Sequence, residues 1–194
     1  YFPGRSDKYS NFHWNKDHFK GADWDEAAKK NGIYLFEGKN WSQDTDNENG
    51  NYDFLMGADV DCHHPAVEQE FIDWGKWFIK ETHIDGFRLD AVKHISFASM
   101  KKWVSEMRDH MKEITPNKTF FAVGEYWSDN VGKLINYIDT TDGLISLFDV
   151  PLHYHMLEAA TSNGQYDMGH LYQDSLSLLK PECAITFVDN HDTQ

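Results

Sequence analysis

The chain has 194 residues, 40% of them hydrophobic and 15% aromatic, with a formal net charge of −14 from 32 Asp and Glu against 18 Lys and Arg. That length can bury one sizeable core, while so acidic a surface, with no basic stripe to offset it, repels nucleic acid and anionic membrane. No run of about 18 apolar residues is present to span a bilayer, so neutral molecules or cations are the expected partners.

The two cysteines, Cys62 and Cys183, are far apart and lack C-x-x-C spacing, which argues against a disulfide scaffold and a structural zinc site. They fit a reduced compartment. Adjacent residues on an extended segment diverge, so Cys62-His63-His64 is not expected to bind metal. Neither Tyr1 nor Gln194 has the character of a natural terminus, and an internal piece of a longer protein is expected; a signal peptide could lie outside it.

Residues 1–58 show no sustained period of 2 or 3.6 and are rich in Gly, Asn, Asp and aromatics such as Trp14, Trp24, Tyr34 and Trp41. Linkers are not this aromatic, so the stretch is read as a small irregular subdomain with short strands at 32–36 and 52–56. Within it, DTDNENG at 44–50 fails as an EF-hand loop, because Asn49 stands where the turn needs Gly and Leu55 where Glu should close the site. Asp53, Asp59 and Asp61, packed among Phe54, Leu55 and Met56, are better candidates, since calcium takes hard oxygen ligands from non-helical backbone.

Pro65 suits the first turn of a helix, and Val67, Phe71, Trp74 and Phe78 follow at helical spacing. Residues 83–95, HIDGFRLDAVKHI, begin as a strand. Alternation puts Arg88 and Asp90 on one face and Phe87 and Leu89 on the other. The next helix carries Phe97, Met100, Val104, Met107, Met111 and Ile114 on one side, and Pro116 bars its continuation. A near-continuously apolar strand at 119–125, the pattern of strands buried on both faces, ends in Glu125. A helix at 129–138, a strand at 143–148, helical material at 152–160 and 168–179, and a strand at 184–188 leading to Asp192 complete the chain. Strands alternating with helices predict parallel βα units, and four in about 130 residues is the density of a (β/α)8 barrel. The expected fold is α/β: a partial TIM barrel over 59–194, preceded by most of an irregular inserted domain over 1–58.

Asp90, Glu125 and Asp192 would then share the rim formed by strand C-terminal ends. Two carboxylates across an acetal are what glycoside hydrolysis needs, one to protonate the leaving oxygen and one to attack. Arg88 would keep Asp90 ionised, and the apolar setting of Glu125 beside Tyr126 and Trp127 would let it hold a proton. Spacing alone leaves open a metal-dependent lyase of the enolase type.

GFRLDAVKHI at 86–95, GEYW at 124–127 and FVDNHDTQ at 187–194 resemble three signature regions of the α-amylase family, glycoside hydrolase family 13, in the right order. Residues 1–56 resemble the inserted domain of its bacterial liquefying-type members. The resemblance implies the strands are about the fourth to seventh of the barrel. It makes Asp90 the nucleophile, Glu125 the general acid/base and Asp192 the acid that holds the distorted sugar. It implies that Arg88 positions the nucleophile, that His191 donates to ring hydroxyls, and that Lys93 and Trp127 line the leaving-group side. Asp53, Asp59 and the His94 carbonyl would bind one structural calcium. Lys20, Ser42 and His63 stand where secreted relatives carry carboxylates for further cations, so one calcium is expected. The activity implied is retaining endo-hydrolysis of α-1,4-glucosidic bonds in starch, glycogen or maltodextrins by a monomer. A maltooligosaccharide-forming or transglycosylating relative is the alternative, and a silent glucan-binding homologue is disfavoured by the presence of all three acids. DVDCHHP at 59–65 resembles intracellular members, implying a cytoplasmic enzyme, with secretion as the alternative.

Overall fold

The computed structural model describes residues 11–46 and 54–193, and they form two sheets of opposite kinds. The first is antiparallel, in the order β2-β1-β3, from β1 (Phe19–Asp25), β2 (Lys30–Leu35) and β3 (Ala58–Val60). The Asp25 carboxylate starts the β1–β2 turn by accepting the N–H groups of Ala27 and Ala28 at 2.9 and 3.0 Å, an Asx turn that Lys29 closes in the left-handed region. Irregularities between Phe19 and Gly21 and between Ala22 and Trp24 break the alternation, which is why no period of 2 is visible in this stretch. The strand expected at 52–56 is displaced. Tyr52 and Asp53 lie outside the described residues, Phe54–Met56 do not join the sheet, and pairing begins at Ala58 after Gly57 turns the chain at φ 66°. Asp59 therefore sits on a paired strand rather than in irregular backbone, and the sheet runs on through Val60.

The second sheet is parallel throughout, in the order β4 (Gly86–Leu89), β5 (Phe121–Gly124), β6 (Ser146–Phe148), β7 (Ala184–Ile185). Helix α1 (Pro65–Thr82) precedes it, and α2 (Phe97–Ile114), α3 (Val131–Thr140), α4 (Val150–Thr161) and α5 (Leu176–Leu179) occupy the crossovers. The helix starts are capped as their sequences suggest. His64, Ser96, Asn130 and Asp149 each accept a backbone N–H of the first turn, and Pro65 and Pro151 occupy early positions that need no donor.

The buried stripe of α2 is the expected one, Phe97, Met100, Val104, Met107 and Met111, although Ile114 at its end is exposed. On α1 the buried face is rotated to Val67, Ile72, Gly75 and Ile79. The physical reason is close packing of α1 on α2: a Cβ on Gly75 would lie 2.6 Å from Met107 Sδ and 2.7 Å from the Trp103 ring. Phe78 and the exposed Trp74 instead make ring contacts with Phe87 of β4. The helix expected over 168–179 is mostly turn, with one 3-10 turn at Met168–His170 and a regular helix only over Leu176–Leu179. Asp174, at φ 51°, breaks the run, and the Ser175 side chain starts a new helix by capping Leu178. The last strand is likewise shorter than expected, ending at Ile185.

Candidate active site

Alternation along β4 does what its pattern implies. Phe87 and Leu89 pack against the core, while Arg88 Nη1 donates to Asp90 Oδ1 at 2.7 Å on the opposite side. The next residue, Ala91, is left-handed at φ 47°, a conformation that costs a non-glycine residue roughly 1–2 kcal/mol. That turn aims its N–H at Glu125, whose Oε2 accepts it at 2.8 Å. The backbone binds the two strand ends as well: Glu125 N–H donates to Leu89 O at 2.8 Å, and Val92 N–H to Glu125 O at 3.1 Å. Asp90 and Glu125 thus project from adjacent, mutually hydrogen-bonded termini.

Glu125 is buried, and its pKa is raised above the ordinary glutamate value. Desolvation is the largest cause; the Ala91 N–H opposes it, Asp90 raises, Arg88 lowers and Asp192 raises further. The charges of Asp90, Arg88 and Asp192 are each close enough to bear on this one carboxyl.

Asp192 and His191 are on an exposed loop beyond β7, with His191 Nε2 3.4 Å from Asp192 Oδ2. The approach to that loop is pinned at His153, which is buried on α4. Its Nδ1 donates to Val188 O at 2.8 Å, and its ring stacks on Phe187 at 4.8 Å with an interplanar angle of 8°. Trp127 packs beside the same rings and donates its indole N–H to Tyr154 Oη at 3.0 Å. Lys93 is turned inward, its Nζ donating to Trp127 O at 2.8 Å, so it braces the strand-end backbone.

Asp59 and His94 face one cavity of about 480 Å³ that also receives Lys20, Arg88 and Asp90, with apolar walls from Phe71, Trp74 and Trp103. Glu125, Trp127, His191 and Asp192 lie outside that lining. Asp53 falls outside the described residues, among which no group of three or more His, Cys, Asp or Glu is arranged to hold a metal. Lys20 is buried and its ammonium donates to Ser42 Oγ.

Two residues that shape the site carry no signal at motif level. Ala91 looks like an ordinary helix former, and His153 like one of 11 histidines.

These features define a parallel βα domain with acids gathered at the C-terminal ends of its strands. Residues 4–194 match the alpha amylase catalytic domain, and the chain belongs to that family. It is 50% identical over 194 residues to an alpha-amylase of Bacillus licheniformis, a match that takes in all of this chain and 37% of that protein. It is 41% identical over 197 residues to a cytoplasmic alpha-amylase of Escherichia coli K12, again all of this chain and 39% of the relative. The chain thus spans little more than a third of the length of these relatives. In fold it resembles the crystal structure of an Anoxybacillus alpha-amylase, with a TM-score of 0.55 at 22% identity over 91% of this chain and 35% of that one. The lyase reading that spacing left open finds no support in this family.

Proposed function

We propose that this chain carries the catalytic centre of an α-amylase that cleaves internal α-1,4-glucosidic bonds of starch, glycogen and maltodextrins with retention. The observation that carries the proposal is the pairing of an arginine-bound, exposed Asp90 with a buried Glu125 of raised pKa on the adjacent strand end. In the first step an Asp90 carboxylate oxygen bonds to the anomeric carbon while the glycosidic C–O bond breaks, and Glu125 gives its proton to the leaving oxygen. In the second, Glu125 takes a proton from water, the water oxygen bonds to that carbon, and the Asp90 ester bond breaks. Arg88 holds Asp90 in line, Asp192 and His191 engage the sugar hydroxyls, and Trp127 with Tyr154 supplies an aromatic wall on the leaving-group side. Two inversions leave the configuration unchanged. NMR of fresh digests by the full-length enzyme is expected to show the α-anomer first; the β-anomer first would sink the mechanism. The chain length of the early products separates random internal cleavage from release of one defined maltooligosaccharide.

In architecture, residues 1–60, taken to Val60 because β3 pairs with β1, are proposed as the larger part of an inserted domain, and the chain beyond them as about strands four to seven of a (β/α)8 barrel. The parallel order β4-β5-β6-β7 supports this. One calcium joining the two parts is proposed at Asp59, Asp53 and the His94 main-chain carbonyl. These are hard oxygen donors of the kind calcium takes, and the first and last residues named face one cavity. Calcium would supply cross-linking there and no chemistry on the sugar. Lys20, Ser42 and His63 stand where the resemblance implies carboxylates for further cations, so a second site would lack its ligands. Elemental analysis of full-length protein after dialysis against metal-free buffer is expected to give about one calcium per chain, by this ligand count. Two or more would refute that ligand count. A cytoplasmic location is also proposed, with secretion as the alternative, since Cys62 and Cys183 form no disulfide.

A further inference from the structure

A carboxylate that stays ionised away from water needs both a countercharge and hydrogen bonds, or its burial is prohibitive. Asp46, in the irregular stretch between β2 and β3, meets that condition with groups from the connections of the other sheet. Those groups come from α3 and from the turns that follow β4 and β5: its side chain is 3% exposed, and Lys133 Nζ, on the first turn of α3, lies 3.0 Å from Oδ1 and 2.9 Å from Oδ2. Oδ2 also accepts the hydroxyl of Tyr126 at 2.7 Å, and the Asp46 N–H donates to Lys93 O at 2.9 Å. Two residues earlier, Asp44 grips the start of α2. Its carbonyl accepts the Phe97 N–H at 2.9 Å, and its Oδ2 accepts Ser96 Oγ at 2.7 Å and the Ala98 N–H at 3.0 Å. One short segment therefore clasps the connections that follow β4 and β5, which carry Asp90 and Glu125.

Tyr126 comes directly after Glu125, and successive side chains of an extended backbone point to opposite sides. The Glu125 N–H and C=O are both bonded to the β4 end. With both held, the backbone that carries the Glu125 side chain can shift only together with the turn at Ala91 and with residue 126. The Tyr126 ring is buried against Phe97 and Tyr137, with its hydroxyl at Asp46, so residue 126 anchors that backbone from behind.

We propose that Asp46 is a positioning residue for Glu125, acting through the Tyr126 hydroxyl and held in place by Lys133. This rests on the reading of Glu125 as the general acid. A proton donor must come within about 2.6–3.2 Å of the oxygen it protonates, and a misplacement of about 1 Å can cost up to about 10²-fold.

The test compares two substrates of the full-length enzyme by kcat/KM, which reports the glycosidic cleavage step. Maltoheptaose has a sugar leaving group that needs the proton, whereas a nitrophenyl maltotrioside has one that leaves nearly unaided. Tyr126→Phe and Asp46→Asn are each expected to lower kcat/KM about tenfold on maltoheptaose and less than about twofold on the aryl substrate, a selective loss of acid catalysis. Lys133→Arg, which keeps the ion pair, is expected to retain wild-type values on both. A role confined to holding the fold together would lower both substrates alike, and an equal loss, or no loss, overturns the proposal. Should Asp46→Asn fail to fold, Tyr126→Phe, which removes a single oxygen, decides alone. Glu125→Gln is the control. It must itself hit maltoheptaose far harder than the aryl substrate. If it does not, the general-acid reading falls and the inference falls with it, whatever Tyr126→Phe does.

Discussion

Glu125→Gln and Asp90→Asn in the full-length enzyme are each expected to lower the rate of starch hydrolysis by at least about 10²-fold, the usual scale for removing a general acid or nucleophile. The two variants should differ in every other respect. Glutamine at 125 still offers an oxygen to the Ala91 N–H, and it relieves the burial of a charge. Because Glu125 has a folded pKa raised above its unfolded value, its contribution to stability is fully present below the unfolded pKa and is lost as pH rises through the folded one. Glu125→Gln should therefore be no less resistant to heat at neutral pH than the parent, and it should lack that part of the parent's pH dependence. For catalysis the same shift extends activity upward: the alkaline limb of the wild-type pH–rate profile should lie above the ordinary glutamate range, because the acid must be protonated to act. Asp90→Asn removes the largely exposed partner of a partly exposed arginine, so its stability change should be small. Near-normal turnover in either variant, measured by reducing-sugar release, would overturn the assignment of roles.

How much of this was legible in the chain itself depends on how local the cause is. Arg88 and Asp90 follow from strand alternation across three residues, and the α2 stripe from a helical period across 15 residues, so both could be seen directly. The buried environment of Glu125 was legible too, because its strand is apolar on both faces and Tyr126 follows. What was not legible depends on partners distant in sequence. The face of α1 was misread because Gly75, which permits the close approach of α2, has no hydrophobic signature, while Trp74 does. The helix at 168–179 failed because a left-handed Asp174 and a new cap at Ser175 outweighed a favourable run of Leu residues. Pairing of Asp46 with Lys133, 87 residues away, has no expression in any local pattern. The first sheet hid its period behind two irregularities in β1.

Asp149→Ala is expected to cost roughly 3 kcal/mol or more, since each donor left buried without its acceptor costs about 1–3 kcal/mol. Asp149 is fully buried at the end of β6. Its Oδ1 accepts the N–H groups of Leu152 and Leu176 at 3.3 and 3.1 Å, and its Oδ2 accepts the Ser177 N–H and Oγ, each at 2.7 Å. The same residue's N–H donates to Ile185 O at 2.9 Å, and its carbonyl accepts the His153 N–H at 3.1 Å. One carboxylate thus starts α4, receives the first turn of α5 and sits where β6 meets β7. Alanine would strand four donors at once. Asparagine should fall between, keeping one acceptor oxygen while turning an NH2 group towards N–H groups that it repels. Since 1.4 kcal/mol is a factor of about ten, a stabilisation lost before the unfolding barrier should shorten the half-life of the full-length enzyme at a fixed high temperature by about 10²-fold for Asp149→Ala. A half-life equal to the parent's would show that water replaces the carboxylate without loss. The disturbance should reach catalysis as well, because His153, which follows Asp149 on α4, pins Val188 and Phe187 on the way to Asp192.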